Sequence, residues 1–370
     1  MPRAVTYVCR MRRVLAVLAD TWTHVWFQER STLPLELSRI GIGAALLVNY
    51  SLATPYLFYF WGESAWIPNA TISNYVNYPW MQSIFHCLTS PWKSSIFHAI
   101  LLLSSAAFMV GWRTSWVKWI VFIGEVSYDQ RNIVLVYGAN QILCSLLFIL
   151  CLAPIGRALS LDRVREVREA KHKDADAKLL PNYSVWAGAC VRLMQIQMAT
   201  VFFYSATEKL RGNDWRNGDA IWLVFSNIDY YNRFLLDLFA SHYWLVNVAT
   251  YGTILAEIAF PILIWQSATR PYLLAAAIFL HIQIGLFMGL LYFSFIMIMG
   301  HMSFVREEWL ARLTATWKKT IGGKSDNRQV SDGDDHSGKE PTDPNISSGH
   351  LLVAGGEVAA RLEPRVVVFR

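Results

Sequence analysis

The stretch FFYSATEKLRGNDWRNGDAIW, residues 202 to 222, carries an apolar helix straight into Glu208, Lys209 and Arg211, and then into Trp215 with Gly218 three residues on. Other ionisable side chains sit inside apolar runs: Glu125 in FIGEVSY, Arg192 with Gln195 and Gln197 in RLMQIQM, Glu257 in ILAEIAFP and His281 in FLHIQIGLFMG. Placing such a group in hydrocarbon is expensive, so each is a functional candidate by default. Glu257, Glu125 and His281 can hold or pass protons, and each can equally be half of an interhelical hydrogen bond or ion pair that serves packing alone. Lys209 also has two readings. A Lys at the waterline can snorkel, its stem in lipid and its ammonium in water. A Lys held out of water is driven toward the neutral amine, the form that takes a proton from a substrate. At helical spacing Gln197, Tyr204 and Glu208 share one face, while Gln195 and Lys209 share another.

These residues must be positioned by membrane helices. The chain has 370 residues, of which 54% are hydrophobic and 16% charged, against roughly 25% charged in a typical soluble domain. Its apolar runs are continuous rather than alternating, which argues against a β-barrel and for an all-α, polytopic transmembrane bundle. The net charge of +6 is carried mostly by short loops and tails. It therefore reads as an orientation signal, with the lipid bilayer as partner and no nucleic acid. Cys9, Cys87, Cys144, Cys151 and Cys190 are scattered, without a metal-binding spacing, and read as small core residues.

About eight spans are expected, over residues 37–60, 94–111, 114–128, 132–153, 185–209, 243–266, 271–289 and 291–305, the last two as a tight hairpin. Pro55 and Pro261 are the clearest breaks. Alternating eight spans puts five Arg of the N-terminal arm, Arg113 with Lys118, the basic loop 156–178, Arg270 and Lys318, Lys319 and Lys324 on one side, the cytoplasm. Segments 61–92, 129–131, 210–242 and the turn near 290 then face outward. Arg131, Arg211, Arg216 and Arg233 run against that bias. The aromatic segment after Lys209, with Trp215, Trp222, Tyr230 and Tyr231, suits a piece of chain lying on the outer leaflet, either roofing a cavity or forming an interfacial belt. The organisation expected is a basic cytoplasmic arm (1–33), a membrane core (34–306) and a cytoplasmic tail (307–370). The tail's Gly, Ser, Asp and Pro content from about residue 322 implies disorder.

The pattern RLMQIQMATVFFYSATEKLRGNDWRNG resembles the Gln-x-Gln, Phe/Tyr-Phe, Lys-Leu, Trp-x-x-Gly signature of the HTTM (horizontally transferred transmembrane domain) family, which includes the vitamin K-dependent γ-glutamyl carboxylases. LELSRIGIGAALL is similar to that family's opening span, and YGANQILCSLLFILCLAPIGRALSLD to its Tyr-Gly span ending in Pro-x-Gly and Ser-Leu-Asp. AEIAFPILIW followed by FLHIQIGLFMGLLYFSFIMI is similar to its Glu…Phe-Pro and His-bearing spans. The resemblance covers about residues 34 to 306 and implies a membrane-embedded site near the outward face. In the carboxylases the Lys of the Lys-Leu motif is held to deprotonate vitamin K hydroquinone. Oxygenation then yields a strong base that removes a γ-proton from a Glu side chain, to which carbon dioxide adds. By this resemblance Lys209 carries the base role, His281 matches a His of the later span, and Glu257 and Glu208 are partners. Gln197, Tyr204 and Trp215 would be contacts for a quinone-type cofactor, and a peptide would be a candidate substrate. The match departs at Ile133 and Val134, where the animal enzymes carry a further His, and at Glu208-Lys209, where they carry two Lys. They also continue into a large substrate-binding domain, whereas this chain runs into a short tail. The departures argue against full γ-glutamyl carboxylation. They leave open a different enzyme, a transporter or scaffold without a visible internal repeat, and a maturation or immunity partner of a secreted peptide.

Overall fold

A computed structural model describes residues 25–63, 65–68, 71, 83–173, 182–310 and 312, with residues 16, 20, 22 and 23. The tail expected to be disordered lies outside these residues. The principal helices are α1 (Leu33–Ala53), α2 (Pro91–Val110), α3 (Thr114–Arg131), α4 (Gly138–Leu152), α5 (Leu161–Lys173), α6 (Val185–Arg211), α7 (Asn213–Asn217), α8 (Ala220–Ser226), α9 (Arg233–Ser241), α10 (Trp244–Leu263), α11 (Arg270–Met288) and α12 (Leu291–His301). The only strands among the described residues are Arg30–Ser31 and Tyr183–Ser184, paired antiparallel with Arg30 opposite Ser184. That ladder sets the start of α6 beside the approach to α1, and the Ser184 side chain caps α6 by accepting from the Ala187 amide.

A helix lies on each of the eight apolar runs read from the sequence. Five are long and apolar enough to cross a membrane: Leu33–Phe60 (α1 with its tightened extension), Pro91–Val110, Val185–Arg211, Trp244–Leu263 and Arg270–Met288. Gly138–Leu152 and Leu291–Phe304 are apolar but shorter, and α3 is more polar. Pro55 falls where α1 tightens into a single 3-10 turn, and Pro261 lies in the last turn of α10. The α11–α12 hairpin turns at Gly289, whose φ of 72° is open to glycine without steric penalty. Large apolar side chains face outward on the long helices, among them Leu103, Leu255, Leu286 and Tyr272, as hydrocarbon requires of a lipid-facing surface.

Polar pins hold the helix ends. Glu36 and Arg39 of α1 are fully buried and paired at 2.8 Å. Glu36 Oε1 accepts from the amides of Gly156, Arg157 and Ala158 (2.6, 2.9 and 3.2 Å). Arg39 donates to the carbonyls of Phe108, Met109 and Leu159. One ion pair thus ties α1 to the end of α2 and to the α4–α5 loop, satisfying the last carbonyls of α2 and backbone groups of that loop. Asp162 closes the same region by accepting from the Arg113 amide and from the amide and hydroxyl of Thr114, each at 2.8 Å, at the start of α3. Between α1 and α2, Gly43 sits so close to the Met109 backbone that a Cβ would lie 2.8 Å from it, a small-residue crossing of the kind that lets membrane helices approach.

Candidate functional site: an apolar cavity with a polar corner

The end of α6 crosses α10, and α11 and α12 pack alongside. The segment after Gly212 folds back over them as α7, α8 and α9. This segment is docked on α10 by Asn247 Nδ2 donating to the Gly218 carbonyl (3.1 Å), the Tyr251 hydroxyl to the Arg216 carbonyl (3.0 Å), the Ile221 amide to Thr250 Oγ1 (3.3 Å) and the Tyr243 hydroxyl to Asp219 (2.8 Å). Gly218, the glycine of Trp-x-x-Gly, adopts φ 91°, and a Cβ there would meet Asn247 and Tyr251 at 2.8 to 3.0 Å. The motif needs glycine for both reasons.

Beneath this roof is a cavity of about 680 Å³. Phe225, Leu235 and Phe239 line it from above, and Phe202, Ile284, Phe293 and Met297 from the bundle. Its polar lining is sparse: Ser205 and Lys209 on α6, Trp215 on α7, Thr253 and Glu257 on α10, and His281 and Gln283 on α11. Lys209 Nζ donates to Glu257 Oε1 at 2.9 Å and to Ser205 Oγ at 2.6 Å. Ser205 Oγ donates in turn to Glu257 Oε1 at 3.1 Å. The Lys209 ammonium also lies 5.1 Å from the Trp215 ring centre, a cation–π distance. Side-chain exposure is 21% for Lys209 and 8% for Glu257. The second oxygen of Glu257 is buried and has no hydrogen-bond partner among the described residues.

His281 is also buried, and its Nδ1 lies 2.7 Å from the Ala277 carbonyl. A carbonyl only accepts, so Nδ1 carries a hydrogen and Nε2 of the neutral ring is an acceptor. His301 lies behind it, ring centres 5.4 Å apart, with Nδ1 set in the same way on the Met297 carbonyl. Phe202, stacked on Phe260 at 4.1 Å, touches both imidazoles.

The structure therefore brings together Lys209, Glu257, His281 and Trp215 of the residues singled out in the sequence. Glu208 is turned away and pairs with Arg211 at 2.6 Å. Tyr204 is 65% exposed and Gln197 lies a further two turns back on the same face; neither lines the cavity. Two sides of α6 are polar, and pattern alone does not say which of them meets a neighbour. Gln195 and Arg192 serve packing: Arg192 donates to Gln195 (2.9 Å), which donates to the Ser303 carbonyl (2.6 Å). Sequence reasoning missed Ser205 and His301. Ser205 stands one turn before Lys209 on the same face, which was the available signal; a lone His301 near the end of an apolar run gives none.

Helices with lipid-facing apolar surfaces around a ligand-sized cavity with one ion pair define an α-helical membrane protein. The HTTM domain family matches residues 27–309, and the chain belongs to that family. No curated protein and no solved structure matches it.

Proposed function

We propose that the cavity takes the ring and part of the tail of a lipid-soluble, quinone-type cofactor, and that the protein is a membrane-embedded enzyme acting with it near the outward face of the cell membrane. The observation that carries this reading is the Lys209–Glu257–Ser205 contact on the wall of an otherwise apolar cavity. A volume of about 680 Å³ falls within the roughly 300–1,000 Å³ of small-molecule sites. The acceptor set suits a quinol. Glu257 supplies a carboxylate on the cavity wall, His281 offers Nε2 as an acceptor, and Phe202 and Phe293 supply apolar contacts. When bound, such a molecule supplies redox chemistry and acidic ring hydroxyls. Lys209 carries the base role in this reading, and its 2.9 Å contact with Glu257 holds Nζ on the cavity wall, where a ring hydroxyl would meet it. Ser205 fixes the Lys209 rotamer, and the α7–α9 roof excludes water. The resemblance to the vitamin K-dependent carboxylases supports the same assignment of Lys209 and His281. Eight helices alternating across the bilayer with both termini cytoplasmic would put the roof outside, in keeping with the distribution of basic residues.

The test is mass spectrometry of lipid extracts from protein purified in mild detergent, with Lys209→Ala alongside. A quinone retained by the wild type and lost in the variant is the expected result. A phospholipid or no specific molecule in either would replace this reading with a non-catalytic transporter, scaffold or maturation partner.

A further inference from the structure

A second, smaller concavity of about 40 Å³ lies between α1, α3 and the approach to α4. Glu125 and Asp129, one turn apart on α3, both line it, as do Asn49, Asn132 and Asn140. Glu125 is 1% exposed and accepts from the Tyr50 hydroxyl at 2.6 Å. Asp129 accepts from Asn140 Nδ2 at 2.9 Å and from Cys144 Sγ at 3.3 Å. All these donors are neutral. Among the described residues no Lys, Arg or His nitrogen lies within 4.0 Å of either carboxylate. The nearby cationic groups are committed elsewhere: Arg131 donates to the Ile67 and Gly62 carbonyls, and His98 contacts Thr54 and Tyr128. Two carboxylates sequestered together without a counter-charge are strongly unfavourable.

A separate observation points the same way. Asn132 is 1% exposed, donates through Nδ2 to the Phe60 carbonyl at 3.1 Å, and leaves its buried Oδ1 without a partner. The concavity thus collects two carboxylates and an unpartnered amide oxygen, a set of hard donors. We propose that it binds one hard divalent cation of calcium type, coordinated by Glu125, Asp129 and Asn132 and completed by water. Two carboxylates balance a divalent charge, and an irregular set of carboxylate and amide oxygens suits calcium better than magnesium, which demands near-ideal octahedral geometry. Among the described residues no group of three or more His, Cys, Asp and Glu surrounds a metal position. This site differs in kind, because amide oxygen and water complete the two carboxylates. A bound cation would clamp α3 against the segment that leads into α4.

The test is equilibrium dialysis of the full-length protein in detergent against calcium at neutral pH, with magnesium as competitor. One calcium per chain is expected. It should be lost in Asp129→Asn, held at least tenfold more weakly in Asn132→Ala, and not displaced by a tenfold excess of magnesium. Both variants are near-isosteric or smaller, and monodisperse elution establishes folding; if Asp129→Asn does not fold, Asn132→Ala and the wild-type stoichiometry decide. No calcium retained at millimolar concentration overturns the proposal. So does calcium retained equally by wild type and Asn132→Ala, which places it elsewhere, or stabilisation by acid in place of calcium, which makes the pair a proton site.

Discussion

The Lys209–Glu257 contact distinguishes a working ion pair from a surface anchor, and a double-mutant cycle separates the two. Lys209→Met leaves Glu257 with 8% side-chain exposure, one oxygen already unpartnered and only Ser205 to hold the other. Breaking a buried pair from one side costs about 3–5 kcal/mol. The 21% exposure of Lys209 puts the expected loss near the lower end, about 3 kcal/mol. Glu257→Leu alone should cost less, about 1–2 kcal/mol, because the ammonium keeps Ser205 and can reach toward water. The double variant removes both charges and should lie within about 1 kcal/mol of the wild type, since apolar replacements of a buried pair are often neutral or stabilising. The assay is reversible unfolding in detergent micelles, followed by the tryptophan signal, on all four proteins. The expected coupling energy is at least about 2 kcal/mol. Losses that add to within about 0.5 kcal/mol would refute the reasoning, because a snorkelling Lys has no stake in Glu257.

Gly252 lines the cavity, and nothing lies within 4 Å of a Cβ built there. Gly252→Phe should therefore fold and insert normally while abolishing retention of a co-purifying ligand, as read by mass spectrometry of extracts. Glu36→Ala removes the acceptor of three backbone amides and strands the buried Arg39, so a loss of about 3–5 kcal/mol should appear as failure to accumulate in the membrane. Glu36→Gln should rescue it in part. In a background with all five Cys replaced by Ser, a Cys placed beside Asn69 should react with an impermeant maleimide from outside, and one replacing Arg165 should not; the reverse pattern would invert the orientation.

The long helices were legible because a run of apolar residues has few other fates, and each of the eight runs read from the sequence coincides with a helix. Which runs are long enough to cross was less legible: α4 and α12 have 15 and 11 residues. The roof was visible as an aromatic, amphipathic stretch, but its docking depends on Asn247, Thr250 and Tyr251, whose contacts are made across the fold. For the candidate site, Lys209, Glu257 and His281 stood out because charge inside hydrocarbon is costly. Their convergence did not, because helical spacing orders residues around one axis and says nothing of which side meets a neighbour. Tyr204 and Gln197 share a polar face of α6 that turns away from the cavity, while Ser205, an unremarkable hydroxyl, completes the contact. Glu36 and Arg39 were read within a family-like stretch rather than as a pair, because their partners are backbone amides and carbonyls that a sequence does not display.

Every residue that lines the large cavity falls between positions 201 and 297, whereas the Glu36–Arg39 pin and the Gly43 crossing belong to the first part of the chain. The molecule thus separates what it must keep from what it is free to change. Substitutions in the later helices can reshape the chamber, alter its polar corner or fill it without touching the joints that hold α1, α2 and the α4–α5 loop together. A lineage built on this scaffold could change what the chamber admits by drift in fewer than a hundred contiguous positions, with the earlier half inherited as a fixed chassis.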